Sequence, residues 1–404
     1  MYSPRHGATK HPFDLLKANK PLILALGIAL ILIAGVILVF SIFSGRDVPS
    51  TSDMDQPPRV VTPPEPPPPP PPPPEPAPEP DPEEEPPSPD LTGMPTWMLT
   101  GLPIDEEHAQ RRPMAVVINN SRDAWPQSGL PSADVIYEVL TEGDITRLLA
   151  LFHSALPEKI GPVRSTRDYF SDMALNHDAI FVYHGGTVDG YERVRSLIPD
   201  NLDGMSLEGT VFWRDRTYPA WTGNTRQRAM EHSSYTGRQR IVDYIQQENM
   251  RQRVGDAEDY GFTFGDIPEE VARAGSTENL SVVYSTAYIR NFIYDPQLGH
   301  YLVENRLGAH TDADTREQLT ANNILIQRTQ KRVVDPVAGY RSVATVGSGD
   351  GYLVADGQYY ELRWEKTSHT SPMRWYFKCD TPLVLTRGKT WICVFQDTGT
   401  IRFD

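Results

Sequence analysis

Residues 159–186 read KIGPVRSTRDYFSDMALNHDAIFVYHGG and collect Arg164, Arg167, His184, Gly185 and Gly186 within a short stretch. Guanidinium groups bind carboxylates and phosphates through paired hydrogen bonds, and the free N–H groups of a helix N-terminus favour the same ligands. A histidine beside two glycines is placed to take a proton, because glycine lets a substrate approach the backbone. The chemistry on offer is anion binding, or proton transfer at a site that stabilises negative charge. Asn119 and Asn120, which end an earlier apolar run, would line such a site with neutral donors. Ser165 stands three residues before Asp168 at capping-box spacing, with Asp where Glu or Gln is usual, so it is expected to cap a helix and not to act as a nucleophile.

The elements that must position these groups follow from periodicity. A strand ending at Val163, a helix opening at Ser165 with Tyr169, Phe170, Met173 and Ala174 on one face, and a strand over 179–183 make a strand–helix–strand unit. Parallel strands joined by a helix end at one sheet edge, where ligands of open α/β sheets gather, so Arg164 and His184 should be neighbours. Strands are expected at 114–118, 133–140 and 145–153, the last two joined by the turn-like Glu142, Gly143 and Asp144. Glu138 and Glu142 share strand parity; they read either as an acid and base pair or as a solvated face, with Arg147 as a partner. A helix is expected at 189–197. The segment 211–221, with Trp213 and Trp221, could stack a sugar or peptide or close over the core. Thr236 and Gln239 repeat capping-box spacing ahead of a helix ending near Gly255, which leaves His232 in a loop.

Beyond a polar passage at 256–279 the texture becomes short alternating runs, at 281–293, 301–304, 341–346, 351–354, 359–364, 373–378 and 391–395, interrupted by a helix-like stretch at 320–327. Gly-Ser-Gly-Asp-Gly at 347–351 lacks the lysine and helix of a phosphate-binding loop and reads as a turn. The expected fold class is α+β: an α/β domain with a mixed sheet over 106–267, then a mainly β domain over 268–404.

The first hundred residues have another character. Residues 21–43 are apolar without a charge, and 23 residues at roughly 1.5 Å each reach about 35 Å, enough for one bilayer crossing. A signal peptide would have a shorter apolar core and a small-residue cleavage site, which Ile42 and Phe43 do not supply. Arg5, Lys10, Lys17 and Lys20 precede the run, so residues 1–20 are expected in the cytoplasm and the bulk of the chain outside. Residues 44–105, dominated by Pro and Glu, read as a disordered polyproline stalk. The net charge of −15 argues against non-specific nucleic-acid binding. Only Cys379 and Cys393 occur; their flanks alternate like strands, and either a disulfide or two free thiols is open. Two cysteines cannot build a structural zinc site, and neither a metal nor another cofactor is expected.

RPMAVVINN, the run from Pro126 to Phe152, KIGPVRSTRDYF, HGG and the late GKTWI closely resemble the YerB-like family of bacterial envelope proteins, over essentially all of the chain from Arg112 onward. The resemblance implies an exported, membrane-tethered protein of two domains of unknown function, related to lipoproteins, with no activity, cofactor or catalytic residue to carry over. No cysteine precedes Cys379 to accept a lipid, so the apolar helix would replace a lipid anchor. Two classes of function remain. One is a binding module in which Asn119, Asn120, Arg164, Ser165, Arg167, His184, Gly185 and Gly186 hold an anionic group of an envelope polymer or peptide, or in which the ectodomain recruits cell-wall assembly proteins. The other is an envelope hydrolase or transferase with His184 as general base and Arg164 and Arg167 stabilising negative charge. Against the first stands the reading that the arginines pair with Glu142, Asp168 or Asp172 inside the fold.

Overall fold

The computed structural model describes residues 95–404, apart from 106–107, 109, 256–259, 336–338 and 397–398. The expected cytoplasmic segment at 1–20, the membrane helix at 21–43 and the stalk up to residue 94 lie outside the described residues. Among the described residues no helix is long and apolar enough to cross a membrane. Packing starts before residue 106, because Met98 and Leu99 are already buried in the core.

The first region supplies β1 (Met114–Asn119), β2 (Val135–Leu140), β3 (Thr146–Phe152), β4 (Ile180–Tyr183) and β5 (Asn201–Asp203), with helices α1 (Asp168–Leu175), α2 (Val188–Leu197) and α3 (Arg238–Gln247). Every residue of β1 to β4 is buried, as befits near-continuous apolar runs covered on both faces. The sheet does not stop at the end of this region. Its eleven strands run, in order, Arg374–Phe377, Gln358–Lys366, Gly347–Ala355, Asn323–Thr329, Thr390–Gln396, β2, β3, β1, β4 and β5, with Gly275–Ser276 pairing off this path. The seam is a parallel pair between β2 and Thr390–Gln396, so the two sequence regions share one mixed sheet. A second sheet, of six strands, holds Asn279–Val283, Ile289–Asp295, His300–Asn305 and Thr400–Phe403.

Strand parity divides the core. Val116, Ile118, Leu148 and Ala150 pack with Leu280, Val282, Phe292 and Tyr301 of the six-stranded sheet. Ala115, Val117, Leu149 and Leu151 pack with Tyr169, Phe170 and Met173 of α1 and Val194 of α2. The architecture is thus mainly β, with mixed sheets and few helices.

Four local expectations are corrected. The helix after Ser165 opens only at Asp168, with Arg167 as an N-cap that makes no side-chain cap bond, because Arg164 to Thr166 are drawn into extended backbone pairing. The segment ending at Val163 joins no sheet as a strand and makes isolated bridges, one to Ile118. The helix-like stretch at 320–327 is strand, since Asn323–Thr329 lies in the middle of the large sheet with Ile324, Leu325 and Ile326 fully buried. Gly347 to Gly351 belong to a strand too: a Cβ at Gly351 would lie 2.5 Å from the Ile326 carbonyl oxygen, so glycine there serves close packing and not a turn.

Cys379 and Cys393 are both free thiols. Cys393 is buried in Thr390–Gln396, whereas Cys379 is exposed just past the edge strand Arg374–Phe377, and three strands separate these two. No disulfide is possible across that distance without dismantling the sheet.

Between the sheets lies a closed ring of five buried side chains. Arg290 donates Nε–H to Glu138 Oε2 at 2.8 Å and a second N–H to Oε1 at 3.1 Å, each residue being 2% exposed. A third Arg290 N–H reaches His310 Nδ1 at 2.9 Å, His310 Nε2–H donates to Gln127 Oε1 at 2.8 Å, and Gln127 Nε2–H donates to Asn120 Oδ1 at 2.9 Å. Asn120 closes the ring on Glu138 Oε1 at 3.4 Å and also donates to Thr146 Oγ1 at 2.7 Å. Guanidinium groups only donate, so His310 carries its proton on Nε2. Removing one partner of such a pair strands a buried charge. Arg290→Met is therefore expected to cost about 3–5 kcal/mol in urea unfolding, and Arg290→Met with Glu138→Leu to recover much of it. Equal losses in the single and double variants would sink this account.

Two other buried histidines set an acid limit. Burial holds His153 and His177 down to about 4, and both are neutral at pH 7. Below the unfolded value of roughly 6.5 the unfolded chain takes up protons that the fold refuses, so this stabilisation is present above that pH and fades as pH falls towards about 4. The urea midpoint should drop between pH 6.5 and 4, and His153→Gln with His177→Gln should make that drop shallower; an unchanged slope would remove the histidines from the explanation.

Candidate functional site

Arg164 and His184 do meet at the carboxyl ends of β1 and β4, as the sequence predicts, although extended backbone brings them together. Arg164 N–H donates to Val117 O at 2.8 Å, His184 N–H to Arg164 O at 3.0 Å, and Thr166 N–H to Gly185 O at 2.8 Å. Residues 164–166 thereby lie beside 184–186 as a short parallel extension. Gly185 sits at φ +78°, a left-handed conformation that favours glycine, and a Cβ on Gly186 would come 2.8 Å from the Thr166 methyl. Both glycines are thus accounted for by backbone geometry.

His184 is committed on both sides. Arg214 donates an N–H to its Nε2 at 2.8 Å, so Nε2 is the unprotonated nitrogen, and Nδ1–H faces Ser234 Oγ at 2.8 Å. Burial, and then the Arg214 charge, push its pKa below the usual histidine range. The neutral imidazole therefore has no unshared lone pair for a substrate while Arg214 is in place. Arg214 itself pairs with Glu208 at 2.8 Å and donates to Met230 O at 2.8 Å.

The neighbouring short helical turn Met230–His232 receives the other arginine. Arg164 donates to Glu231 O at 2.9 Å and forms no ion pair among the described residues; burial draws its pKa down, with Glu231 and Glu142 opposing. His232 Nδ1 accepts from Asn119 Nδ2 at 2.7 Å, which leaves its proton on Nε2. Burial, then Arg164, depress its pKa as well. Asn119 Oδ1 is taken by Ser121 N–H at 3.0 Å. The patch thus consists of Arg164, Arg214, two neutral histidines and Asn119, with Glu208 beside them.

Other residues expected in this site are elsewhere or otherwise engaged. Asn120 faces the opposite way and is consumed by the five-membered ring and by Trp125 Nε1–H at 2.9 Å. Arg167 turns inward to Glu142, which also binds Arg147 at 3.1 Å, while Arg147 donates to Ser165 O at 2.7 Å. Burial raises the Glu142 carboxyl pKa, and the two arginines more than reverse it; burial and the Arg167 charge bring Arg147 down to about 10. Glu142 is therefore an ion-pair partner, and Ser165 contributes a carbonyl here. Arg214, Ser234, Glu208 and Gln127 escaped sequence reasoning because each joins through contacts distant in the chain; the clustered arginines of 211–228 were the one signal.

Among the cavities that lie away from the patch, two matter here. One, of about 740 Å³, runs along α3 between Arg111, Arg238 and Phe152. The other, of about 630 Å³, opens between Trp125, Tyr218, Trp221 and the turn at Leu307.

The chain matches a family described as protein of unknown function DUF3048, its N-terminal domain over residues 99–251 and its C-terminal domain over residues 280–392. It is 32% identical over 309 residues to a protein of Bacillus subtilis (strain 168) named "Putative lipoprotein YerB", covering 74% of this chain and 86% of that one. The crystal structure of YerB from Bacillus subtilis superposes with a TM-score of 0.65 at 30% identity, over 76% of this chain and 99% of that chain.

Gly204 supplies a direct test of the patch geometry. A Cβ there would lie 2.1 Å from His184 Nδ1, so Gly204→Ala must displace the ring from Ser234. Overpacking of this kind costs roughly 1–3 kcal/mol. Imidazole nitrogen NMR should report an Nδ1–H tautomer and a depressed pKa in the parent protein, and mixed tautomers with a pKa nearer 6.5 in the variant; identical spectra would refute the assigned hydrogen bonds.

Proposed function

This chain belongs to the YerB-like DUF3048 family, and on that premise we propose that it is a membrane-tethered, extracytoplasmic protein of the bacterial envelope that binds an anionic envelope ligand at Arg164, Arg214 and His232. The lipoprotein name of the Bacillus relative supports an envelope location. The apolar run at 21–43, flanked by basic residues on its N-terminal side, supports a single-pass tether with the bulk outside. One observation carries the binding reading: among the described residues the Arg164 guanidinium has a main-chain oxygen as its hydrogen-bond partner and no carboxylate. An unneutralised guanidinium beside the donor N–H of His232 is complementary to phosphate or carboxylate.

The competing reading, a hydrolase or transferase with His184 as base, would need the lone pair that already accepts from Arg214, and this favours binding over proton transfer. A second binding mode, docking of a cell-wall assembly protein, is favoured by the hairpin Lys331–Asp335 with Tyr340–Val343, where Val333 is 49% and Val334 57% exposed.

The test is thermal unfolding of the full-length chain in mild detergent, scanned against inorganic phosphate and anionic wall-peptide fragments. A ligand at a hundredfold excess over Kd adds about 2.7 kcal/mol of stability. Stabilisation of the parent protein that disappears in Arg164→Ala with Arg214→Ala is the expected result. An unresponsive parent, or a double variant that responds equally, would overturn the anion site.

A further inference from the structure

The second cavity has a lining that the proposed anion patch does not explain. Its walls are Trp125, Tyr218 and Trp221, and its volume of about 630 Å³ lies inside the roughly 300–1,000 Å³ range of small-ligand sites. The polar atoms of all three aromatic side chains are engaged by the protein. Trp125 Nε1–H donates to Asn120 Oδ1 at 2.9 Å, Trp221 Nε1–H to Ala313 O at 2.9 Å, and Tyr218 O–H to Asp123 O at 2.7 Å. Only their C–H edges and ring faces remain to offer a ligand. Trp221 keeps 39% of its surface exposed, with the Arg316 guanidinium over its ring at 5.7 Å from the centroid, which leaves the opposite face for a ligand.

The polar rim is composed mainly of donors. Arg122 and Arg226 line the cavity, and neither side chain makes a hydrogen bond or ion pair among the described residues. Asn305 Oδ1 accepts from Leu307 N–H at 2.8 Å and Asn224 Oδ1 from Arg226 N–H at 3.1 Å, so each amide has its NH2 group left for a ligand. Asp123 is the one carboxylate in the lining. The buried Arg228 stands behind the aromatic wall, 4.5 Å from the Tyr218 ring centroid, held by Pro126 O and other neutral acceptors. The cavity therefore combines stacking faces, amide donors and a surplus of positive charge.

We propose that this cavity is a binding site for an acidic saccharide, whose ring faces stack on Trp221 and Trp125 and whose carboxylate is taken by Arg122 and Arg226. Aromatic faces without exposed polar atoms suit the C–H faces of a pyranose, and donor-only side chains suit hydroxyl, acetamido and carboxylate oxygens. A cationic ligand would meet two guanidinium groups against a single carboxylate. The preference for a saccharide over another flat acid, such as a nucleotide, rests on the extracytoplasmic reading above. The floor is already organised: His310 and Trp125 are both fixed by the ring that contains Glu138 and Arg290, so little ordering accompanies binding.

Calorimetry on the full-length chain in mild detergent tests this with three probes: a disaccharide of N-acetylglucosamine and N-acetylmuramic acid, the neutral diacetylchitobiose, and a nucleoside monophosphate. The acidic disaccharide should bind saturably and at least tenfold more tightly than the neutral one. Trp221→Ala, at an exposed position, should weaken both sugars by tenfold or more, while Arg122→Ala with Arg226→Ala should abolish the preference for the acidic sugar and leave neutral binding in place. Arg164→Ala with Arg214→Ala should leave all of this unchanged, so failure of the anion patch and failure of the cavity are separately visible. Absence of saturable sugar binding, a nucleotide that binds more tightly than either sugar, or a Trp221→Ala protein with parental affinity would each overturn the assignment.

Discussion

The structure depends on the ion pair between Glu138 and Arg290, because it ties the first region of the chain to the second where neither could satisfy its charge alone. Glu138 lies on the central sheet and Arg290 on the six-stranded one, each 2% exposed. A buried pair of this kind is weak evidence for stability, since desolvation offsets much of the attraction. Its better-attested role is specification: two charges that must meet admit one register between two sheets. The ring through His310, Gln127 and Asn120 extends that demand to five residues drawn from four segments. Cation–π contact of Arg290 with Trp391, at 4.8 Å, anchors the same guanidinium to the seam strand.

The proposed anion patch is built on another electrostatic logic. Its histidines are kept neutral by burial and by nearby arginines, while Arg214 fixes the tautomer of His184 and Asn119 that of His232. Neutral imidazoles contribute donors without adding positive charge, so the attraction for an anion comes from Arg164 and Arg214. Glu208 offsets part of it, and Arg167 is withheld altogether, because Glu142 takes it together with Arg147. Of the two arginines that the sequence set beside one another, one is a surface cation and the other a structural ion-pair partner. Sequence spacing could not separate these roles, since Glu142 reaches Arg167 across 25 residues.

What was legible in the sequence was local. β1 to β4 show as apolar runs, the turn at Glu142 to Asp144 connects the expected strands, and the meeting of Arg164 with His184 follows from β4 ending where it does. Reading failed where long-range pairing overrode local pattern. Asn323–Thr329 is flanked by polar residues and looks helical in isolation, yet it is sandwiched between two strands that pair along it. Ser165 and Thr236 both have capping spacing, but the Thr236 hydroxyl donates to Val211 O at 3.1 Å and Gly237 stands at the N-cap of α3. With Gly237 at the N-cap, Thr236 stands one residue ahead of the capping position, and its hydroxyl is used to hold the neighbouring segment instead. The separation into two regions at about residue 267 describes the order of the chain, while the parallel pairing of β2 with Thr390–Gln396 joins the regions in space.

The end of β1 shows how closely the two candidate sites are joined. Asn119 and Asn120 are consecutive and point apart, the first holding His232 in the patch and the second holding Trp125 in the cavity wall. Neither amide is free for a ligand, so their importance to any activity would be positional. A change at Asn120 would release Trp125, Gln127 and Thr146 together and leave Glu138 short of a donor. Its effect on binding could not be assigned to a contact, because the same substitution disturbs the register between the sheets. Residues at the ends of these chains of contacts, Trp221 and Arg226 on one side and Arg164 on the other, have few or no protein partners to lose. They are therefore the positions at which binding and folding separate, and a ligand's contribution can be read there without first dismantling the frame that holds it.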